Sequence, residues 1–121
     1  MTSIYLAIIL TADLHERDYC ERLAKKYHAV CEVTLDDGSR CDLLSESTAW
    51  EVDWARKHYE AVGQSVWYSI ETGKRPGIIL ITDDWKRDAK HIERSRAICK
   101  RLGITIRVED ITANPPLTLA P

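Results

Sequence analysis

Across residues 13–27 the apolar side chains Tyr19, Leu23 and Tyr27 recur at every fourth position among charges, which predicts an amphipathic helix with Asp13 as its N-cap. The period then shortens. Residues 29–35, 40–44 and 48–53 have strand character, the first two joined by the hairpin turn Asp36-Asp37-Gly38 and the next two by Ser45-Glu46-Ser47. Helical spacing returns over 54–72 and stops at Gly73, the residue type that most easily takes the left-handed conformation closing a helix. Pro76-Gly77 leads into four consecutive aliphatics, 78–81, the mark of a strand buried on both faces. Asp83-Asp84 caps a further helix that runs to Leu102 and ends at Gly103, and residues 104–108 form a last strand. The order α-β-β-β-α-β-α-β predicts an α/β fold in which an antiparallel meander continues into a parallel β-α-β return, a mixed sheet flanked by helices.

The chain of 121 residues reads as a single domain, 1–121, with an apolar N-terminal segment at 1–12, a core at 13–109 and a Pro-containing tail at 112–121. Hydrophobic residues at 45% and charged residues at 30% exclude a disordered chain. The net charge of −2 argues against a general polyanion-coating protein, so any nucleic-acid contact has to rest on local basic patches. The apolar run 4–10 is too short to span a bilayer, has no Lys or Arg before it and lacks a good cleavage site. The expectation is no membrane association and the cytoplasm, with export the alternative if the run is a vestigial leader. Cys20, Cys31, Cys41 and Cys99 form no CxxC or Cys–His zinc spacing. Counting back from the hairpin turn sets Cys41 opposite Val33 or Thr34, not Cys31, and four reduced thiols are expected.

Candidate chemistry lies in the acids of the second and third strands. Asp42 stands early in one, and Glu51 and Asp53, two apart, project from the same face of the other. Carboxylates that converge from neighbouring strands make an oxygen site suited to Mg²⁺ or Mn²⁺, although any one such acid is more commonly just solvated. At about 100° per residue, Lys57, Ala61, Gln64 and Tyr68 share a narrow stripe of the next helix, and Lys57 falls near Glu51 and Asp53. Arg87, Lys90, Arg94 and Arg101 share one face of the last helix, and Lys74-Arg75 adds two charges before the fourth strand; a phosphate backbone is one partner for them, water the commoner one. Of the four tryptophans, Trp50 and Trp67 are expected in the core. His15, His28, His58 and His91 have no local metal spacing, and P-loop, dinucleotide and G-x-S-x-G signatures are absent.

Asp42, then Glu51-x-Asp53, then a helix carrying Gln64-x-x-x-Tyr68, resembles the PD-(D/E)XK nuclease superfamily, in particular its RecB-like branch with a QxxxY motif. The predicted element order is similar to that superfamily's core as well. The resemblance implies a small metal-dependent phosphodiesterase acting on nucleic acid, DNA ahead of RNA, alone or as a homodimer. It implies Asp42 and Glu51 as ligands of Mg²⁺ or Mn²⁺, Asp53 as a third, and Gln64 and Tyr68 as supporting or DNA-contacting residues. Glu16 would be the acid contributed by the first helix. The family's lysine two residues after the second acid is replaced here by Asp53, which leaves two readings: Lys57 is a migrated lysine, or the chain is a degenerate module that binds nucleic acid or protein without cleaving it.

Overall fold

The computed structural model describes residues 16–112, with side chains from Cys20 onward; the N-terminal segment, the proposed Asp13 cap and most of the tail lie outside the described residues. The protein is α/β, a five-stranded mixed sheet in spatial order β1-β2-β3-β4-β5 with three helices among the described residues. The elements are α1 (Glu16–Tyr27), β1 (Ala29–Thr34), β2 (Arg40–Ser45), β3 (Thr48–Trp54), a 3₁₀ turn (Ala55–Lys57), α2 (His58–Thr72), β4 (Arg75–Thr82), α3 (Trp85–Leu102) and β5 (Thr105–Asp110). β1–β2 and β2–β3 pair antiparallel, β3–β4 and β4–β5 parallel. Cys41 stands opposite Val33, as the turn count requires.

The boundaries follow local chemistry. Gly73 (φ 72°) and Gly103 (φ 72°) close α2 and α3 in the left-handed conformation, and Asp84 caps α3 by accepting from the Arg87 N–H at 3.0 Å. Two expected boundaries move. Trp54 belongs to β3 rather than to the helix, because a 3₁₀ turn intervenes, and β4 begins at Arg75, since Pro76 occupies a position where its ring replaces an N–H without ending the strand.

Strand alternation sorts the core into two layers. Leu43, Trp50, Val52, Ile79 and Ile81 pack against Cys20, Leu23 and Ala24 of α1 on one face. Ile78 and Leu80 point the other way, to Ala61 of α2 and to Ile92 and Cys99 of α3. The four aliphatics of β4 are therefore divided between the layers, which accounts for their unbroken run. On the α1 face the Trp50 indole meets Tyr27 at 5.2 Å and lies across β4 at Gly77, where an added Cβ would stand 2.6 Å from both Thr48 Cγ2 and Trp50 Cε3. Gly77→Ala should lower stability by about 1–3 kcal/mol in urea unfolding, because the indole has to leave its place.

The cysteine expectation fails. Cys20 of α1 and Cys31 of β1 form a disulfide, with only Cys41 and Cys99 as buried thiols. Trp67 is also not in the core: it is 44% exposed on the outer side of α2, and its Nε1–H donates to Asp37 at 2.8 Å, tying the helix to the first hairpin turn. The disulfide closes a short loop that joins α1 to the sheet edge, so Cys20→Ser/Cys31→Ser should cost about 3 kcal/mol in equilibrium unfolding, an effect absent when both proteins are compared under reducing conditions.

Candidate functional site

The face of the sheet beneath α2 is not apolar throughout. Asp42 (0% exposed), Glu51 (1%) and Asp53 (0%) are all buried there, and so is Tyr68 of α2. Glu51 and Asp53 alternate with Trp50 and Val52, whose side chains serve the α1 layer, so period-two geometry sends both acids toward α2.

Asp42 reaches them through a local break in the sheet. The β2–β3 register holds for Leu43↔Trp50 and Leu44↔Ala49 and then stops. Past that point the Val52 N–H donates to Asp42 Oδ2 at 2.8 Å, so a side-chain carboxylate occupies the place of a ladder carbonyl. The Cys41 thiol donates to Leu43 O at 3.1 Å and to Trp50 O at 3.6 Å in the same gap. On the other flank Glu32 stands in the left-handed region at φ 49°, between the pairs Cys31↔Leu43 and Val33↔Cys41. Backbone irregularity on both sides of one acid is the kind of departure that concentrates at functional positions.

The electrostatics follow from burial. Desolvation raises the pKa of Asp42 and, further, that of Glu51, where the negative charge of Asp42 adds to it. Within this pair Glu51 is raised further and is the acid that keeps its proton, and the Tyr68 hydroxyl offsets only part of that rise. Burial and the neighbouring acids push the Tyr68 phenol upward too, so it stays a donor. Asp53 is raised to about 7 by desolvation, offset in part by the Trp54 N–H, which donates at 2.8 Å, and by the Lys57 ammonium. Cys41 is pushed up to about 12 by the same burial and remains a thiol.

Four oxygens that bear on this region are buried without a hydrogen-bond partner: Asp42 Oδ1, Glu51 Oε1, Asp53 Oδ2 and Gln64 Oε1. An all-oxygen set of this kind suits a hard divalent cation. No three His, Cys, Asp or Glu side chains among the described residues are already gathered around one point closely enough to hold an ion. The donors fit Mg²⁺ or Mn²⁺ in type and in unmet acceptor capacity.

Asp42, Glu51, Asp53, Lys57 and Tyr68 are thus brought together, with Gln64 on the same helix stripe. Glu60, at the start of α2, also acts on Asp53. Cys41, next in sequence to Asp42, joins the site because the strand is irregular there. Glu16 opens α1, but its side chain lies outside the described residues. The basic residues are not drawn in. Arg75 pairs with Thr48 at the opposite end of β3, five positions and about 16 Å from Asp53, and Lys74 Nζ donates to Glu46 O. Arg87 is committed to Asp83 at 2.5 Å and Asp88 at 3.1 Å. Lys90 and Arg94 are exposed on α3, with Arg94 donating to the Tyr59 hydroxyl at 3.4 Å.

Comparison of the chain with family models, with curated proteins and with solved structures returns no match in any of the three. No described helix is long and apolar enough to cross a membrane.

The raised acids make stability fall with pH. Unfolded, they release protons near their ordinary values; folded, they hold them, so the native state binds more protons in between and stability declines as pH rises. For Asp53 that window runs from its reference value of 3.8 to about 7, and for Glu51 it extends further. Thermal melts without divalent ions should show a lower midpoint at pH 8 than at pH 5, and Asp53→Asn or Glu51→Gln should flatten the slope. An unchanged slope in both variants would contradict this electrostatic picture.

Proposed function

We propose that the protein is a small metal-dependent nuclease of the PD-(D/E)XK kind. The observation that carries this reading is the burial of Asp42, Glu51 and Asp53 as neighbours, each with an oxygen lacking a partner, with Lys57 of the 3₁₀ turn acting on Asp53 and Gln64 and Tyr68 on α2. Asp42 and Glu51 would hold Mg²⁺ or Mn²⁺, with Asp53 as third ligand. Such an ion supplies an acidified water and neutralises charge on a phosphodiester.

The side chains contribute the rest. Lys57 offsets negative charge beside Asp53 and is the group able to stabilise charge developing on a phosphate oxygen. Tyr68 orients Glu51 through its hydroxyl, and Gln64 offers a carboxamide from the next turn inward. Nucleic acid, DNA ahead of RNA, is the proposed substrate, with exposed Lys90 and Arg94 as the basic groups available to its backbone. A domain of this size reads sequence poorly alone, which favours structures, ends or a homodimer. The Cys20–Cys31 disulfide supports export over the cytoplasm, since such bonds persist in oxidising compartments.

A second reading has its own support. All three carboxyls are at most 1% exposed, a closed arrangement that suits a non-catalytic module binding nucleic acid or a protein partner on the same scaffold. Calorimetric titration of Mn²⁺ with and without an oligonucleotide, followed by cleavage assays on single- and double-stranded DNA and RNA, separates the two. The nuclease reading expects Mn²⁺ uptake that Asp42→Ala/Glu51→Ala abolishes and cleavage that Lys57→Ala lowers by about 100-fold or more. Introducing Asp53→Lys into the Lys57→Ala background should restore part of the rate. Binding without metal uptake or cleavage would favour the module.

A further inference from the structure

Away from the carboxylates, His58 and His91 form a pair that the proposed chemistry does not use. His58 opens α2, is 2% exposed, and its Nδ1 lies 3.0 Å from Ala55 O. A carbonyl only accepts, so Nδ1 carries the proton and Nε2 keeps its lone pair. That Nε2 is buried with no partner, and so is Nδ1 of His91, which reaches across from α3. The ring centres are 5.6 Å apart with planes at 47°. A core histidine is ordinarily satisfied at both nitrogens; here two helices bring two imidazoles together and leave one buried ring nitrogen on each without a partner.

We propose that His58 and His91 jointly bind one transition-metal ion of the Zn²⁺ class between α2 and α3, at a site separate from the carboxylates. Two imidazoles bound at the usual Zn–N length of about 2.0–2.1 Å to one tetrahedral ion have ring centres about 5 Å apart, so a small closure of the helices suffices. The remaining positions fall to water or an added ligand. Nitrogen donors select Zn²⁺, Cu²⁺ or Ni²⁺, whereas the oxygen set around Glu51 selects Mg²⁺ or Mn²⁺, which makes the two sites separable by the metal alone.

The surroundings are compatible. Burial favours the neutral form of His58, the one that ligates. Tyr59 stacks on His58 at 4.2 Å and engages Arg94, which directs that guanidinium to the phenol oxygen. Because His58 follows Lys57 directly, an ion here would fasten the 3₁₀ turn that holds Lys57 beside Asp53.

The test uses the Asp42→Asn/Glu51→Gln protein, so that the carboxylate site cannot take up the probe and the nuclease reading is not at stake. Zn²⁺ titrated calorimetrically should bind at one equivalent and raise the thermal midpoint, and Co²⁺ should give visible absorption bands of a nitrogen-ligated ion. His91→Gln, a substitution at a half-buried helical position, should weaken uptake by about tenfold or more. In the histidine ring NMR spectrum, resonances of His58 and His91 should move with Zn²⁺ while that of His28 stays; this readout needs no variant at the pair. No uptake, uptake unchanged by His91→Gln, or ring shifts confined to other histidines would overturn the proposal.

Discussion

Three carboxyl groups lie where water does not reach, between the sheet and α2, and the rest of the molecule is arranged around that constraint. Burying an acid without partners costs several kcal/mol, and burying three side by side adds mutual repulsion. Each finds a different compensation. Asp42 stands in for a ladder carbonyl and accepts the Val52 N–H. Glu51 retains its proton, since burial and the charge of Asp42 both raise it. Asp53 accepts from its neighbour's N–H and shares the field of Lys57. None of these solutions is available to a regular strand. The interrupted β2–β3 ladder and the left-handed Glu32 are therefore consequences of placing Asp42 inside the sheet, not independent defects.

The opposite face supplies the stability that such a site consumes. There α1 covers an unbroken apolar layer centred on Trp50, made possible because Gly77 lets the indole lie flat on the neighbouring strand. The disulfide ties α1 to the edge strand β1, the strand whose partner β2 carries the irregularity. A hairpin interrupted beside its inner neighbour needs an anchor at its outer edge, and the covalent link provides one. The division of labour follows strand alternation: odd and even positions of β3 serve different layers, one apolar and one acidic.

Much of this was legible in the chain. Gly73, Gly103 and Asp84 mark helix ends because few residue types tolerate those positions, and Glu51-x-Asp53 predicts a shared face from the two-residue period alone. The wheel that joined Lys57 to Gln64 and Tyr68 extended the helix too far: Lys57 lies in the 3₁₀ turn that precedes α2, because β3 runs on through Trp54. What escaped depends on contacts without a period. Cys20 meets Cys31 only after α1 folds back on β1. Trp67 is exposed because a polar turn at Asp37 supplies its indole with a partner that no helix wheel contains. His58 and His91 are thirty-three positions apart and meet through helix packing. The depth of the acids was also hidden, since residue types that usually mark solvated strand ends here mark a closed interior.

Asp53 is the residue on which the chemical reading turns. A lysine at that position would stand next to Glu51 on the same face and neutralise the pair from within the sheet. Aspartate does the reverse: it adds a third acid and leaves Lys57, on another element, as the one ammonium acting on it. With no cation available, burial favours the protonated forms, most strongly at Glu51. A divalent ion changes that balance, since its charge repays the desolvation that protons otherwise relieve. An aspartate there makes the cluster more dependent on outside positive charge than an internal lysine would. Replacing these acids with apolar residues of similar volume would remove the desolvation cost altogether. Full burial of the three acids, each with an oxygen left unpaired, is costly in the absence of positive charge, and a divalent ion is the kind of ligand that would relieve that cost.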